Sequence, residues 1–196
     1  MRIIFASGNK GKIREASEIL GEDYEIVTPA SLGINEEIEE TGNTLKENSL
    51  IKAEYLYKRT GMNVFADDTG LEVDALGGAP GVHSARYATD GHDFDANIDK
   101  LLLELSKHPG EPRSARFKSV VTLLINGERH FFEGTIEGRI AESRSGVNGF
   151  GYDPVFIADA YPGRTLAEVP EEAKNAVSHR GQSLRAMAAW LKENGF

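Results

Sequence analysis

The chain contains no cysteine. Disulfides and thiolate metal sites are therefore excluded. No apolar run approaches the ~20 residues that a membrane-spanning helix requires. The apolar start Ile3-Ile4-Phe5-Ala6 gives way to Ser7, too short a run for the hydrophobic region of a signal peptide. No pair of histidines has zinc spacing, and no Gly-x-Ser-x-Gly elbow is present. Basic surplus is missing as well, since the formal net charge is -9. That argues against duplex DNA or an anionic membrane as partner. It leaves room for a small phosphorylated ligand, which needs only a local cluster of Lys, Arg and a divalent metal. The expectation is a cytoplasmic protein that binds neither nucleic acid nor membrane.

What remains is an ordinary globular composition: 196 residues, 40% apolar and 27% charged. This is enough for one sizeable domain over 1–196 with a real core, and no repeat or low-complexity linker divides it. Arg2 to Ala6 reads as a buried strand, followed by a Ser-Gly-Asn turn and a helix with Ile13, Ala16 and Leu20 on one face. Glu25-Ile26-Val27 reads as a second strand. Asn43 or Thr44 is placed to cap a helix reaching about Lys58, with Glu47 at capping-box spacing from Thr44. Val64-Phe65-Ala66 reads as a short strand that stops at Asp67-Asp68, and Gly70 to Gly81 as a loop. Ala96 to Leu105 is predicted helical and Arg116 to Ile125 extended. Asn126-Gly127 is a strong hairpin signal, because both turn positions favour φ > 0. Arg129 to Ala141 is the return strand, so the sheet is expected to be mixed. A glycine loop follows at 145–153, then a short strand at Val155-Phe156-Ile157 and helices over about 171–176 and 183–192.

Several clusters suit phosphate or metal chemistry, each with a plainer alternative. Ser7-Gly8-Asn9-Lys10-Gly11-Lys12 lies between a strand and a helix, where outward N–H groups and a partly positive helix end favour an anion. It is neither a Walker A loop nor a dinucleotide fingerprint, and an ordinary turn with two solvated lysines fits it too. Glu39-Glu40 and Asp67-Asp68 are acidic pairs beside predicted turns. Mg²⁺ takes one or two carboxylates plus phosphates and water, although a run with four Glu between Glu36 and Glu40 also suits a solvated face. Adjacent acids after an apolar run are costly to bury unless cations meet them. Asn48 and Lys52 share one helix face, as either cleft lining or a snorkelling lysine. Phe150 and Tyr152, interleaved with Gly149 and Gly151, offer an aromatic platform for a base or a hydrophobic plug. Lys174 and Arg180 are candidate phosphate or carbonyl donors.

Six blocks in order resemble the inosine triphosphate pyrophosphatase family, the XTP/dITP diphosphatases. They are Ser7-Gly8-Asn9-x-Gly11-Lys12-x-x-Glu15; Glu39-Glu40-Thr41-Gly42 with Glu47-Asn48 and Lys52; and Ala66-Asp67-Asp68-Thr69-Gly70-Leu71. Then come Leu76-Gly77-Gly78-Ala79-Pro80-Gly81 with Ser84-Ala85-Arg86-Tyr87; Gly149-Phe150-Gly151-Tyr152-Asp153-Pro154 with Phe156; and Ser178-His179-Arg180-Gly181. The resemblance spans positions 7 to 181. It implies an α/β fold with an elongated mixed β-sheet, flanking helices and two lobes around a central cleft, assembled as a homodimer. It implies Mg²⁺-dependent hydrolysis of ITP, dITP and XTP to the monophosphate and pyrophosphate, cleansing the nucleotide pool.

Carried over by position, Ser7, Gly8, Asn9, Lys10, Gly11 and Lys12 would bind the triphosphate. Glu39 and Asp68 would hold Mg²⁺, Glu40 being the alternative to Glu39, and Asp68 would accept the proton. Asp67 is expected to brace its neighbour. Lys52 and Thr69 would contact substrate. Phe150, Gly151, Tyr152, Asp153 and Lys174 would line the nucleotide site, with His179 and Arg180 near the base and Arg180 as reader of its keto oxygen. Thr69 stands where many members carry Ser, which keeps the hydroxyl. Two other readings stand beside this one. A septum-inhibitor-like nucleotide pyrophosphatase would show a Ser-x-Ser-Pro-Arg-Arg loop, absent here. A non-enzymatic nucleotide-binding module would have to tolerate the paired acids without a metal.

Overall fold

The computed structural model describes residues 1–196. Five α-helices accompany a mixed seven-stranded sheet. The strands are β1 (Arg2–Phe5), β2 (Glu25–Val27), β3 (Val64–Val73), β4 (Pro80–Gly81), β5 (Ser114–Ile125), β6 (Glu128–Ile140) and β7 (Phe156–Ala158). The helices are α1 (Lys10–Leu20), α2 (Leu45–Thr60), α3 (Phe94–Ser106), α4 (Glu171–Val177) and α5 (His179–Glu193). The order in the sheet is β2-β1-β3-β5-β6-β7, with β4 paired to β3. β1 runs parallel to β2 and β3, whereas β3–β4 and β6–β7 are antiparallel. Asn126 and Gly127, at φ 51° and 84°, form the two-residue turn between β5 and β6. No helix is long and apolar enough to cross a membrane.

The chain divides into two compact units, 1–68 with 119–134 and 180–196, and 69–118 with 135–179. β3, β5 and β6 each run through both. In the first unit, strand alternation sorts the core onto two faces of the sheet. Ile3, Phe5, Phe65, Val121, Leu123 and Ile125 pack with α1 and α5 through Ala16, Leu20, Leu184, Met187 and Leu191. Ile4, Val64, Ala66 and Leu124 pack with Ala53 and Leu56 of α2. Buried hydroxyl pairs follow the same division: Ser183 donates to Ser119 at 3.1 Å on the α5 face, and Ser49 and Thr122 meet at 2.6 Å on the α2 face. The second unit gathers Leu71, Val73, Ala115, Phe117, Ile136, Ile140 and Phe156 around Ile98, Leu101 and Leu105 of α3.

Three element boundaries differ from the sequence pattern. β3 does not stop at the acid pair but continues through Asp67-Asp68-Thr69-Gly70 to Val73. Leu71 and Val73 are fully buried, and Leu71 pairs with Gly81 of β4, so ladder and core carry the strand past the charges. α3 starts at Phe94, because Asp93 rather than a later residue caps it, accepting from the Ala96 N–H at 2.9 Å. α5 starts at His179 and takes in Gly181, which the pattern leaves outside the helix. Thr44 caps α2 in a full capping box with Glu47, as its spacing predicts.

Candidate active site

Asp67 and Asp68 are consecutive on β3, so their side chains leave the strand on opposite sides. Asp67 follows Phe65 onto the face of α1 and α5, where it is 1% exposed. Lys12, in the first turn of α1, donates from Nζ to Asp67 Oδ2 at 2.7 Å. Arg180, in the first turn of α5, donates from Nε to the same oxygen at 3.3 Å and from Nη1 to Glu15 Oε2 at 3.0 Å. Two acids and two cations thus form a charge-balanced, partly buried set. Burial alone would raise the Asp67 carboxyl, but the charges of Lys12, Arg180 and Lys52 outweigh it and hold the group well below the usual carboxylate range. Asp67 is committed to this set, on the side of the strand away from Asp68.

The loop before α1 is internally capped. Asn9 Oδ1 accepts from the Gly11 and Lys12 N–H groups at 2.9 and 3.2 Å, and Ser7 Oγ accepts from the Asn9 N–H at 3.2 Å. Gly8 and Lys10 are exposed beside them. The donors nominated for a triphosphate therefore sit at a helix N-terminus, with part of their capacity taken up by Asn9.

Asp68 follows Val64 and Ala66 onto the α2 face. Lys52 of α2 is its cation: Nζ lies 3.6 Å from Asp68 Oδ1 and 2.7 Å from Glu40 Oε1. The Asn48 side chain hydrogen-bonds Asp68, and its Oδ1 accepts from the Gly42 N–H at 2.8 Å. Asn48 thereby ties the acidic loop to the strand. A Cβ on Gly42 would come within 2.6 Å of Asn48 Oδ1, which requires glycine there. Burial pushes the Asp68 carboxyl up, Lys52 pulls it down, and Glu40 and Asp67 add repulsion; the balance is about 6. Burial tends to discharge Lys52, but Asp68, Asp67 and Glu40 reverse that and raise its pKa.

Asp68 Oδ2 is buried and has no hydrogen-bond partner, and so is Thr69 Oγ1 on the next residue. Orphaned buried oxygens of this kind are costly unless something else meets them. No set of three or more Asp, Glu or His side chains is placed to hold a metal alone. The donor set nevertheless fits Mg²⁺, which takes one or two carboxylates and completes its shell with phosphate oxygens and water. Both members of the Glu39-Glu40 pair are exposed, and Glu40 is the one that reaches the Lys52 ammonium beside Asp68.

The remaining candidates lie in the second unit. Phe150 is 56% exposed between Gly149 and Gly151, which adopt φ 81° and 60°. Asp153 Oδ2 accepts from the Phe150 N–H at 2.9 Å and pairs with Lys174 Nζ, which stands 4.9 Å from the Phe150 ring centroid. A Cβ on Gly149 would overlap Asp153 Oδ2. Tyr152 is buried and donates to the Ser84 carbonyl at 2.8 Å. His179 stacks on Phe117, with ring centroids 5.2 Å apart.

Lys12, Asp67 and Arg180 thus meet, as do Lys52 and Asp68, and Phe150, Asp153 and Lys174. The sequence reading did not anticipate Glu15 as the anchor of Arg180, nor Asn48 as a bridge to Asp68. Both carried a signal: Glu15 lies three residues beyond Lys12 on one helix face, and Asn48 lies four before Lys52.

A family model described as the Ham1 family matches residues 3–190. A dITP/XTP pyrophosphatase of Porphyromonas gingivalis is 50% identical over 190 residues, covering 97% of each chain. One of Bacillus subtilis is 45% identical over 191 residues, covering 96% of each. The structure of a HAM1 protein from Coxiella burnetii superposes with a TM-score of 0.93 at 39% identity, covering 98% of this chain and 99% of that one. The chain belongs to the Ham1 family.

Proposed function

We propose that this chain hydrolyses non-canonical purine nucleoside triphosphates (ITP, dITP and XTP) to the monophosphate and pyrophosphate, with Mg²⁺, as a homodimer in the cytoplasm. It is an enzyme of the nucleoside triphosphate pyrophosphatase class, as are the relatives named dITP/XTP pyrophosphatases. The observation that carries the mechanistic reading is Asp68, a buried carboxylate with one unpartnered oxygen and a pKa near 6. Such a group is ionised at neutral pH, yet basic enough to take a proton from water. Asp67 is poorly suited to that task, because Lys12 and Arg180 suppress its basicity.

Water attacks the α-phosphorus, the α–β anhydride bond breaks, and pyrophosphate leaves with the bonding electron pair. Asp68 accepts the proton from the attacking water. Lys10, exposed at the start of α1, and Lys52 supply positive charge toward the phosphates, and the Thr69 hydroxyl is available to a substrate oxygen. Mg²⁺, held by Asp68 and a carboxylate of the Glu39-Glu40 pair, would neutralise charge on the phosphates. Phe150 offers the face on which a base stacks, Lys174 lines the same site, and Arg180 is the expected donor for the keto oxygen of the base. A 6-amino purine would leave such a donor unmatched, and mismatched buried polar groups carry a large penalty.

The test is pyrophosphate release from ITP, XTP, ATP and GTP, with and without Mg²⁺, in the wild-type protein and in Asp68→Asn. Fast Mg²⁺-dependent release from ITP and XTP, little from ATP or GTP, and near loss in the variant are expected. Equal turnover of all four nucleotides overturns the specificity, and full activity in Asp68→Asn overturns the mechanism.

A further inference from the structure

Phe94 is the first residue of α3, directly after the capping Asp93, and it is 45% exposed. A large apolar ring left so open gains little from core burial. Its aromatic neighbour is Phe150, which is also more than half exposed. The ring centroids lie 6.5 Å apart with the planes tilted by 50°. That is within the range of favourable tilted aromatic pairs.

Phe150 has reason to need an external contact. Gly149 and Gly151 flank it, both at positive φ, so neither neighbour has a side chain to restrict its ring. Its N–H is fixed to Asp153, which orders the backbone but not the ring. The Lys174 ammonium covers the ring from 4.9 Å, and Phe94 supplies the aromatic contact. Phe94 lies outside all six sequence blocks described above.

We propose that Phe94 is a positioning residue for purine binding: it holds the Phe150 ring at the angle on which the base stacks. This rests on the nucleotide reading given above. An aromatic ring fixed in place loses less freedom when a base stacks on it, so Phe94 contributes to base binding and leaves the phosphate chemistry alone.

The experiment compares wild-type protein, Phe94→Ala and Phe94→Tyr in three measurements: ITP kinetics, inhibition by inorganic tripolyphosphate, and calorimetric binding of inosine monophosphate. For Phe94→Ala, KM for ITP should rise about five-fold, the scale of one aromatic pair, with kcat within about two-fold of wild type. Inosine monophosphate should bind more weakly by a similar factor. Tripolyphosphate, which has no base, should inhibit both proteins equally. Phe94→Tyr should restore KM, and thermal melts should match because the side chain is largely exposed.

An unchanged KM in Phe94→Ala overturns the inference. So does a loss of tripolyphosphate inhibition in step with KM, or a failure of Phe94→Tyr to rescue. If the wild-type protein binds inosine monophosphate without hydrolysing ITP, the proposed activity fails while the binding comparison still decides the role of Phe94. If it does neither, both fail.

Discussion

Asp67 and Asp68 are neighbours on one strand, yet one carboxyl is held well below the ordinary range and the other is raised to about 6. The division follows from alternation. One side chain meets Lys12 and Arg180 between α1 and α5, and the other meets Lys52, Asn48 and the repelling Glu40 beside α2. The two environments push the acids apart and leave Asp68 the more basic of the pair.

For Asp68 the sign of the pH effect is definite. Its folded pKa is above its unfolded value near 3.9. The folded state therefore binds more protons between about pH 4 and pH 6, and stability falls as pH rises through that window. A shift of this size corresponds to about 3 kcal/mol at most. The metal-free Asp68→Asn protein should lack that decline. Denaturant midpoints of both proteins from pH 4 to pH 8 should diverge upward through pH 6, with the variant the more stable at pH 7. Parallel profiles would show that Asp68 is not burdened by burial.

Asp67 works in the opposite sense. Asp67→Ala leaves Lys12 and Arg180 facing a buried position without their common acceptor, and breaking a buried pair from one side costs about 3–5 kcal/mol. The depressed pKa means that this stabilisation is present above the unfolded pKa and is lost as pH falls through the folded value. Urea denaturation at pH 7 should show the loss in Asp67→Ala. The double variant Lys12→Met with Asp67→Ala should recover part of it, because one unpaired cation goes too. Full additivity of the two changes would argue that the pair is uncoupled.

Much of this was legible in the sequence, and the limits have physical causes. Buried strands, the capping box at Thr44 and the Asn126-Gly127 turn are local patterns, and they are present in the structure. The strand through the acid pair was not legible to its end, because two carboxylates after an apolar run look like a boundary. They are tolerated within the strand because cations arrive from elsewhere, Arg180 from 113 residues away. The start of α5 was obscured for a related reason. Ser178-His179-Arg180-Gly181 has the composition of a turn, yet Arg180 and Gly181 are buried within the helix. Glu40 over Glu39 as the partner of Lys52 depends on how the chain turns into α2, which no residue pattern encodes.

Gly149 should be intolerant of any side chain. Its φ of 81° disfavours L-residues, and a Cβ would overlap the carboxylate that holds both the Phe150 N–H and Lys174. Backbone strain of this kind costs about 1–2 kcal/mol, and displacement of Asp153 adds to it. Gly149→Ala should lower the thermal midpoint and raise KM for ITP by more than ten-fold (on the order of 1.4 kcal/mol). Gly151→Ala, where no atom lies within 4 Å of the added Cβ, should show the strain without the collision and a smaller effect on both measures. Equal effects of the two changes would mean that contact with Asp153 is unimportant.

Protons and metal should compete at Asp68. A carboxylate must be ionised to hold Mg²⁺, and its pKa near 6 lies inside an accessible range. Ligands that bind only the folded state raise its stability in proportion to occupancy. Adding Mg²⁺ at pH 8 should therefore raise the thermal midpoint of the nucleotide-free protein. The same addition at pH 5, where Asp68 is largely protonated, should raise it much less. Asp68→Asn should abolish the increment at both pH values, and Lys52→Met should enlarge it at pH 8, because the ammonium that now faces Asp68 repels a second cation. An increment that is independent of pH, or that survives in Asp68→Asn, would place the metal on other ligands and return Asp68 to a purely electrostatic role.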